Sequence, residues 1–280
     1  MVVRKVWLVP VMAVVTSTLA FLSSLIVGNM DGHLKTWITS VSTAGSHSPE
    51  SCLFSQFLNI SAFFLILTFY VRHRQTVEYY AHRLQWEGNA WRICSLIFMW
   101  VGIISAVSLT VVANFPKTEA ILIHDTAAAF TFLTQIVYSW GQVVIGFAMI
   151  PHMASTFVNF LRLFLAILAT FFVVLHEAAL VLNPSKNNGT NLFEVHETIY
   201  SDNQASFNQT VFISTEWLMI LAMQLFLLTF TAELRFAYAH VPRVVFCRSA
   251  MEIGYPAEPR HVKIVHIPSS NMAFVEDGST

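Results

Sequence analysis

The side chains in this sequence that could do chemistry sit at the borders of long apolar runs. Glu50, Asn114, the His124–Asp125 pair, the His176–Glu177 pair and Glu216 all lie at such borders, at ends that alternating crossings bring to one outside leaflet, where several could join in one polar cluster. Imidazoles close to carboxylates could titrate in an acidic compartment or hold a cation. Carboxylates at helix starts, here Glu50 and Asp125, could instead simply complement the helix macrodipole. Both readings stay open at the level of sequence. A catalytic metal centre is not expected, because it needs three converging ligands and an open position. Adjacent His and acid residues on a helix point about 100° apart. No H-E-x-x-H, nucleophile elbow or phosphate-binding loop occurs in the chain. No catalytic residue, metal or cofactor is therefore assigned, and a lipid hydrolase or transferase ranks behind non-enzymatic readings.

The elements that must position these groups follow from composition. The chain has 280 residues, 55% hydrophobic and only 11% charged, with mean hydropathy +0.61. Soluble domains carry roughly 25% charged residues, so this composition cannot coat a water-facing surface. It excludes a cytosolic enzyme and a disordered scaffold, and a net charge of −1 gives no attraction to nucleic acid. Crossing the hydrocarbon takes about 20 apolar residues. Six runs qualify, at about 6–27, 52–71, 93–113, 126–147, 157–182 and 211–234. The first is too long for the ~7–15 residue core of a cleavable signal and lacks a clear A-x-A site, so it reads as a retained helix. The expected fold is an all-α integral membrane protein: a six-transmembrane-helix bundle over 1–235, followed by a flexible cytoplasmic tail over 236–280.

Basic residues set the expected orientation. Arg4, Lys5, Arg72, Arg74, Arg83, Arg92, Arg162, Arg235 and the basic residues of the tail fall on one side. Of the 15 basic residues, only Lys35, Lys117 and Lys186 remain for the other. Both termini are thus expected in the cytoplasm. Two N-glycosylation sequons, at Asn188 and Asn208, fall in the last outside loop, whereas Asn59-Ile-Ser lies inside the second run and should be inert. Cys247, near the membrane in the tail, is a palmitoylation candidate or a free thiol. The expected partners are membrane lipids and other membrane or cytoplasmic proteins reached through the tail.

Small and polar residues mark the faces that pack inside a membrane bundle. In the fourth run, His124, Ala128, Thr131, Gln135, Ser139, Gln142 and Gly146 recur at helical spacing, with Leu133, Ile136, Val137, Trp140 and Val144 opposite. The first run repeats the pattern with Ala13, Ser17, Ala20, Ser24 and Gly28. Ionisable residues sit at run ends, Arg162 and Glu233 at the cytoplasmic side, and none lies mid-run. Proton-coupled transporters use a midplane carboxylate or a broken helix, so a transporter is disfavoured.

Three sequence blocks at the outside ends resemble the DRAM/Sfk/tentonin family of six-span membrane proteins (Frag/CWH-like). The first surrounds Gly45 and runs through Pro49-Glu50-Ser-Cys-Leu-Phe54. The second is Val-Ala-Asn114-Phe115 followed by His124-Asp125, and the weaker third is Ser214-Thr-Glu216-Trp. The resemblance covers about residues 1–240 and implies a non-enzymatic membrane regulator. One branch modulates autophagy at lysosomal and related membranes. A second supports phosphoinositide-kinase recruitment, lipid organisation or mechanically activated currents at the plasma membrane, and a distant third acts in GPI-anchor remodelling. Glu-Ser-Cys-Leu-Phe leans to the second branch, and Val-Ala-Asn-Phe with His-Asp to the first. Ala44 stands where some relatives carry a loop cysteine, so a loop disulfide is not expected. The leading expectation is a modulator of autophagy at endolysosomal membranes; the plasma-membrane organiser is the rival.

Overall fold

The computed structural model describes residues 2–3, 5–34, 39–82, 90–148, 153–181, 203–235 and 239–240. In chain order the helices are α1 (Leu8–Met30), α2 (Val41–Ala44), α3 (Glu50–Val77), α4 (Ala90–Asn114), α5 (Ile121–Ala148), α6 (Thr156–Val181), α7 (Asn203–Leu228) and α8 (Thr231–Leu234). A π-helical turn, Glu78–His82, extends α3. Two short strands, β1 (Val2–Val3) and β2 (Ala239–His240), pair antiparallel, Val2 with His240 and Val3 with Ala239. Ala239 and His240, early in the segment expected as tail, thus meet Val2 and Val3; residues 241–280, Cys247 among them, lie outside the described residues.

Six helices among the described residues are long and apolar enough to cross a membrane. Several overrun the apolar runs at their polar ends: α3 starts at Glu50 and α5 at Ile121, which brings Glu50, His124 and Asp125 inside helices. A hydropathy pattern stops at the first polar residues, whereas helical hydrogen bonding continues through them. Pro10 sits in the first turn of α1, where a ring is tolerated. The loop between the first two spans holds α2, which composition alone did not indicate. Ser40 caps it, its Oγ accepting from the Thr43 N–H at 3.2 Å.

The six long helices form a ring in sequence order. α1 packs on α3, α3 on α4, α4 on α5, α5 on α6 and α6 on α7, and a shorter seam of α7 with α1 closes it. Ala13, Ser17, Ala20, Ser24 and Gly28 are all buried in α1, and His124, Gln135, Ser139 and Gln142 in α5. Leu133, Val137 and Val144, on the other side of α5, are exposed. On α6 the exposed residues Phe157, Phe160, Phe164, Ile167, Phe171 and Val174 form a greasy outer stripe, since lipid is as apolar as these side chains. Small residues let backbones close in: the Ser61 hydroxyl of α3 donates to the Ala13 carbonyl of α1 at 2.8 Å. Gly102 matters for the same reason, because a Cβ there would lie 2.7 Å from the Phe69 ring.

Inside the ring lies a largely apolar cavity of about 120 Å³, lined by α1, α3, α4, α5 and α7 with Val41 and Ser42 of α2.

Candidate functional site

At the end of the ring that carries the loop with α2, the candidate residues are tied to loops and neighbouring helices one by one. Glu216 of α7, 4% exposed, accepts from the Val41 N–H at 3.0 Å, and from the Ser42 N–H at 3.4 Å and hydroxyl at 2.9 Å. A buried carboxylate thus grips the N-terminal turn of α2. The next residue adds a second clamp, the Trp217 indole N–H donating to the Thr39 carbonyl at 2.9 Å. Glu50 is 1% exposed and its Oε1 accepts from His33 Nδ1 at 2.7 Å.

The remaining candidates spread around the same end. His124 donates from Nδ1 to the Phe115 carbonyl at 2.8 Å, closing the α4–α5 connection. Asp125 pairs with Lys117 at 3.3 Å, and Lys117 also lies 5.9 Å from the Phe212 ring. Asn114 and Asn59 exchange amide hydrogen bonds at 3.0 and 3.1 Å, joining α4 to α3. His176 stacks on Phe212, ring centroids 4.2 Å apart, and donates to that residue's carbonyl at 3.3 Å. Glu177 is exposed. All but Glu177 have partners outside the candidate set, so the structure distributes these residues over separate clamps. The Thr118 hydroxyl joins two of the loops, donating to the Ser46 carbonyl at 2.9 Å. Of the glycosylation candidates, Asn208 falls within α7 and Asn188 lies outside the described residues. Cys52 and Cys94 are free thiols.

Gly45 and Phe54, picked out as motif residues, belong together physically. A Cβ at Gly45 would come within 2.5 Å of the Phe54 ring, so the glycine lets the loop lie flat on α3. Pro49 stands at the N-cap of α3 and Glu50 opens its first turn.

The other end holds a site that sequence reasoning did not find. Arg72 of α3 and Arg162 of α6 converge on Glu233 of α8. Arg72 Nη1 donates to Glu233 Oε2, and Arg162 Nη1 lies 2.6 Å from Oε1. Both arginines are 1% exposed. Arg72 also donates to Gln142 of α5 at 3.0 Å and to Gln75 at 2.8 Å. Arg162 donates to the Thr229 hydroxyl at 2.9 Å and carbonyl at 3.3 Å. The break between α7 and α8 at Thr229–Phe230 presents that carbonyl. Both guanidiniums sit beside the Phe230 ring, 5.0 and 4.9 Å from its centroid, where cation–π attraction adds to the pairing. α3 and α6 are not neighbours in the ring, so the triad crosses its interior. The signal present in the sequence was Arg162 and Glu233, each flanked on both sides by apolar residues, near an end expected in the same leaflet as Arg72.

Residues 5–236 match the family described as the Frag1/DRAM/Sfk1/Cwh43P N-terminal domain. The chain belongs to this family. The match takes in all six long helices, the clamps around α2 and the Arg72–Glu233–Arg162 triad. Among curated proteins, the Frag1/DRAM/Sfk1/Cwh43P chain is 32% identical over 158 residues to human DNA damage-regulated autophagy modulator protein 2, covering 56% of this chain and 58% of that one. It is 28% identical over 152 residues to human DNA damage-regulated autophagy modulator protein 1, covering 54% and 62%. It is also 24% identical over 157 residues to Modulator of macroautophagy TMEM150B-B of Xenopus laevis, covering 56% and 64%. The chain thus spans less than two thirds of the length of the curated relatives it matches. No solved structure matches it.

Proposed function

We propose that this chain is a non-enzymatic multi-pass regulator that modulates autophagy at endolysosomal membranes, acting through contacts with lipids and proteins. The observation that carries the reading is the relatives' own naming: two human proteins are called autophagy modulators and a frog protein a modulator of macroautophagy. The geometry is in keeping with it. The buried Arg72, Arg162 and Glu233 charges are spent on holding helices together, and α6 presents an exposed apolar stripe. In this reading both termini face the cytoplasm, the end with α2 faces the lumen, the tail recruits cytoplasmic partners, and Asn188 and Asn208 carry glycans.

Imaging a tagged full-length chain with and without starvation tests the compartment. Endolysosomal residence, with altered autophagosome turnover when the chain is removed, is the expected result. Steady-state residence at the plasma membrane overturns it. An endoglycosidase-sensitive mobility shift, lost in Asn188→Gln with Asn208→Gln, tests the orientation.

One observation favours the rival, a plasma-membrane protein that organises lipid or gates a mechanically activated current. The helices form a ring around a cavity, and the triad crosses that ring. Stretch-evoked current in membranes holding only the purified chain would decide for it.

A further inference from the structure

The end of α1 and the start of α3 bring three potential metal ligands together. Asp31, His33 and Glu50 each place a ligand atom within 4.8 Å of the others, the one such group of three or more among the described residues. Two are exposed and one is buried, so the group sits at the rim of the bundle with one wall inside it. Its buried wall is not satisfied. Glu50 is 1% exposed, and while Oε1 accepts from His33, Oε2 is buried without a hydrogen-bond partner among the described residues. Leaving a buried carboxylate oxygen unpaired is unfavourable unless a cation compensates it.

The backbone around the group is shaped to hold it. Asp31 follows the last turn of α1, its N–H bonded to the Val27 carbonyl at 2.9 Å. That is the negative end of the α1 dipole, a poor place for a carboxylate and a good one for a cation. Gly28, one turn earlier, leaves the space in which Glu50 lies: a Cβ there would be 3.0 Å from Glu50 Oε1 and from the Leu34 side chain. The Leu34 N–H bonds back to the Gly28 carbonyl at 3.1 Å, which turns the chain so that His33 faces Glu50.

We propose that Asp31, His33 and Glu50 form a binding site for a divalent transition-metal ion of the zinc class, beyond the role proposed above for the whole chain. One imidazole nitrogen with two carboxylate oxygens is a donor set for zinc rather than for calcium or magnesium, which take oxygen ligands. The metal replaces the proton shared by His33 Nδ1 and Glu50 Oε1, because a coordinating imidazole must offer a free lone pair. Glu50 Oε2 then has a counter-charge, and solvent completes the coordination on the exposed side. The ion staples α1 to α3 and fixes the first loop, whose α2 Glu216 grips from the other side.

The test is zinc binding to the full chain, purified in detergent and stripped with a chelator. Calorimetric titration with zinc chloride should give one ion per chain, and excess magnesium should not displace it. Asp31→Asn and His33→Ala should each weaken binding by about tenfold or more, since even outer-shell partners of a metal act on that scale. Both side chains are exposed, so both variants should keep the elution profile and helicity of the parent chain. Glu119→Gln, an exposed acid in the α4–α5 connection, should bind as the parent does. The proposal is overturned if the parent chain takes up no zinc, if folded Asp31→Asn and His33→Ala bind as tightly as the parent, or if Glu119→Gln weakens binding as much as they do.

Discussion

Arg162 of α6 and Glu233 of α8 meet at 2.6 Å, Nη1 to Oε1, with both side chains withdrawn from solvent. The carboxylate's other oxygen is held by Arg72, so one negative charge serves two guanidiniums. Such an arrangement is tolerable inside a protein only when the remaining donors find acceptors. Gln75, Gln142 and Thr229 provide them.

Removing the shared carboxylate should therefore be far worse than removing the whole network. Glu233→Leu leaves two buried, unpaired guanidiniums and should destabilise the chain by about 3–5 kcal/mol. Replacing all three together, Arg72→Met, Arg162→Leu and Glu233→Leu, should recover most of that loss. Thermal unfolding of the purified chain in detergent reads both. A triple variant as unstable as Glu233→Leu would mean that the charges do not act as a closed set.

The clamp on α2 predicts a local effect. Glu216→Ala strips the acceptor from the Val41 and Ser42 amides and the Ser42 hydroxyl. A loss of about 1–3 kcal/mol is expected for buried donors left unpaired. Amide exchange of residues 41–44 should accelerate, while the long helices keep their protection. Unchanged exchange in α2 would show that the Trp217 bond to Thr39 holds the loop without help.

Much of this architecture was legible because bilayer physics writes it into composition. The small and polar stripes of the first and fourth runs predicted the faces that α1 and α5 bury, down to Ser24 and Gln142. The ring order follows the chain; the α3–α4, α4–α5 and α5–α6 connections are short, and antiparallel neighbours joined that way pack together. What escaped was tertiary. Arg72 and Arg162 read as loop-side charges that set orientation, since depth along a helix cannot be separated from helix-end position without knowing what faces each residue. The seven candidate polar groups read as convergent because they share one end. All but the exposed Glu177 bond to a backbone or side-chain group outside that set, as Glu216 does with α2 and His124 with Phe115. His33 and Asp31 passed unnoticed because no apolar periodicity surrounds them.

Close approach of α4 and α5 depends on Gly141. A Cβ there would fall well inside contact distance of the Phe98 ring. Gly141→Ala should destabilise by about 1–3 kcal/mol, the usual range for overpacking. Pairing it with Phe98→Leu should relieve much of that strain, so the double variant should be more stable than the sum of the two single losses. Strict additivity would place the strain elsewhere.

Two glutamines two turns apart on the same face of α5 should respond with opposite signs. Gln135 lines the cavity, and its Nε2 is buried without a hydrogen-bond partner among the described residues. Its neighbour Ser105 keeps a better acceptor in the Thr131 carbonyl at 3.0 Å, so Gln135→Met removes an unsatisfied donor and adds apolar volume beside the cavity. A gain of about 1 kcal/mol is expected. Gln142 instead accepts from Arg72 Nε at 3.0 Å, and Gln142→Met leaves part of a buried cation unpaired. A loss of about 1.5–3 kcal/mol is expected, the range for a hydrogen bond to a charged group. The comparison holds helix, residue type and substitution constant, so unfolding midpoints that fall for both would show that Gln135 Nε2 has an acceptor in the folded protein.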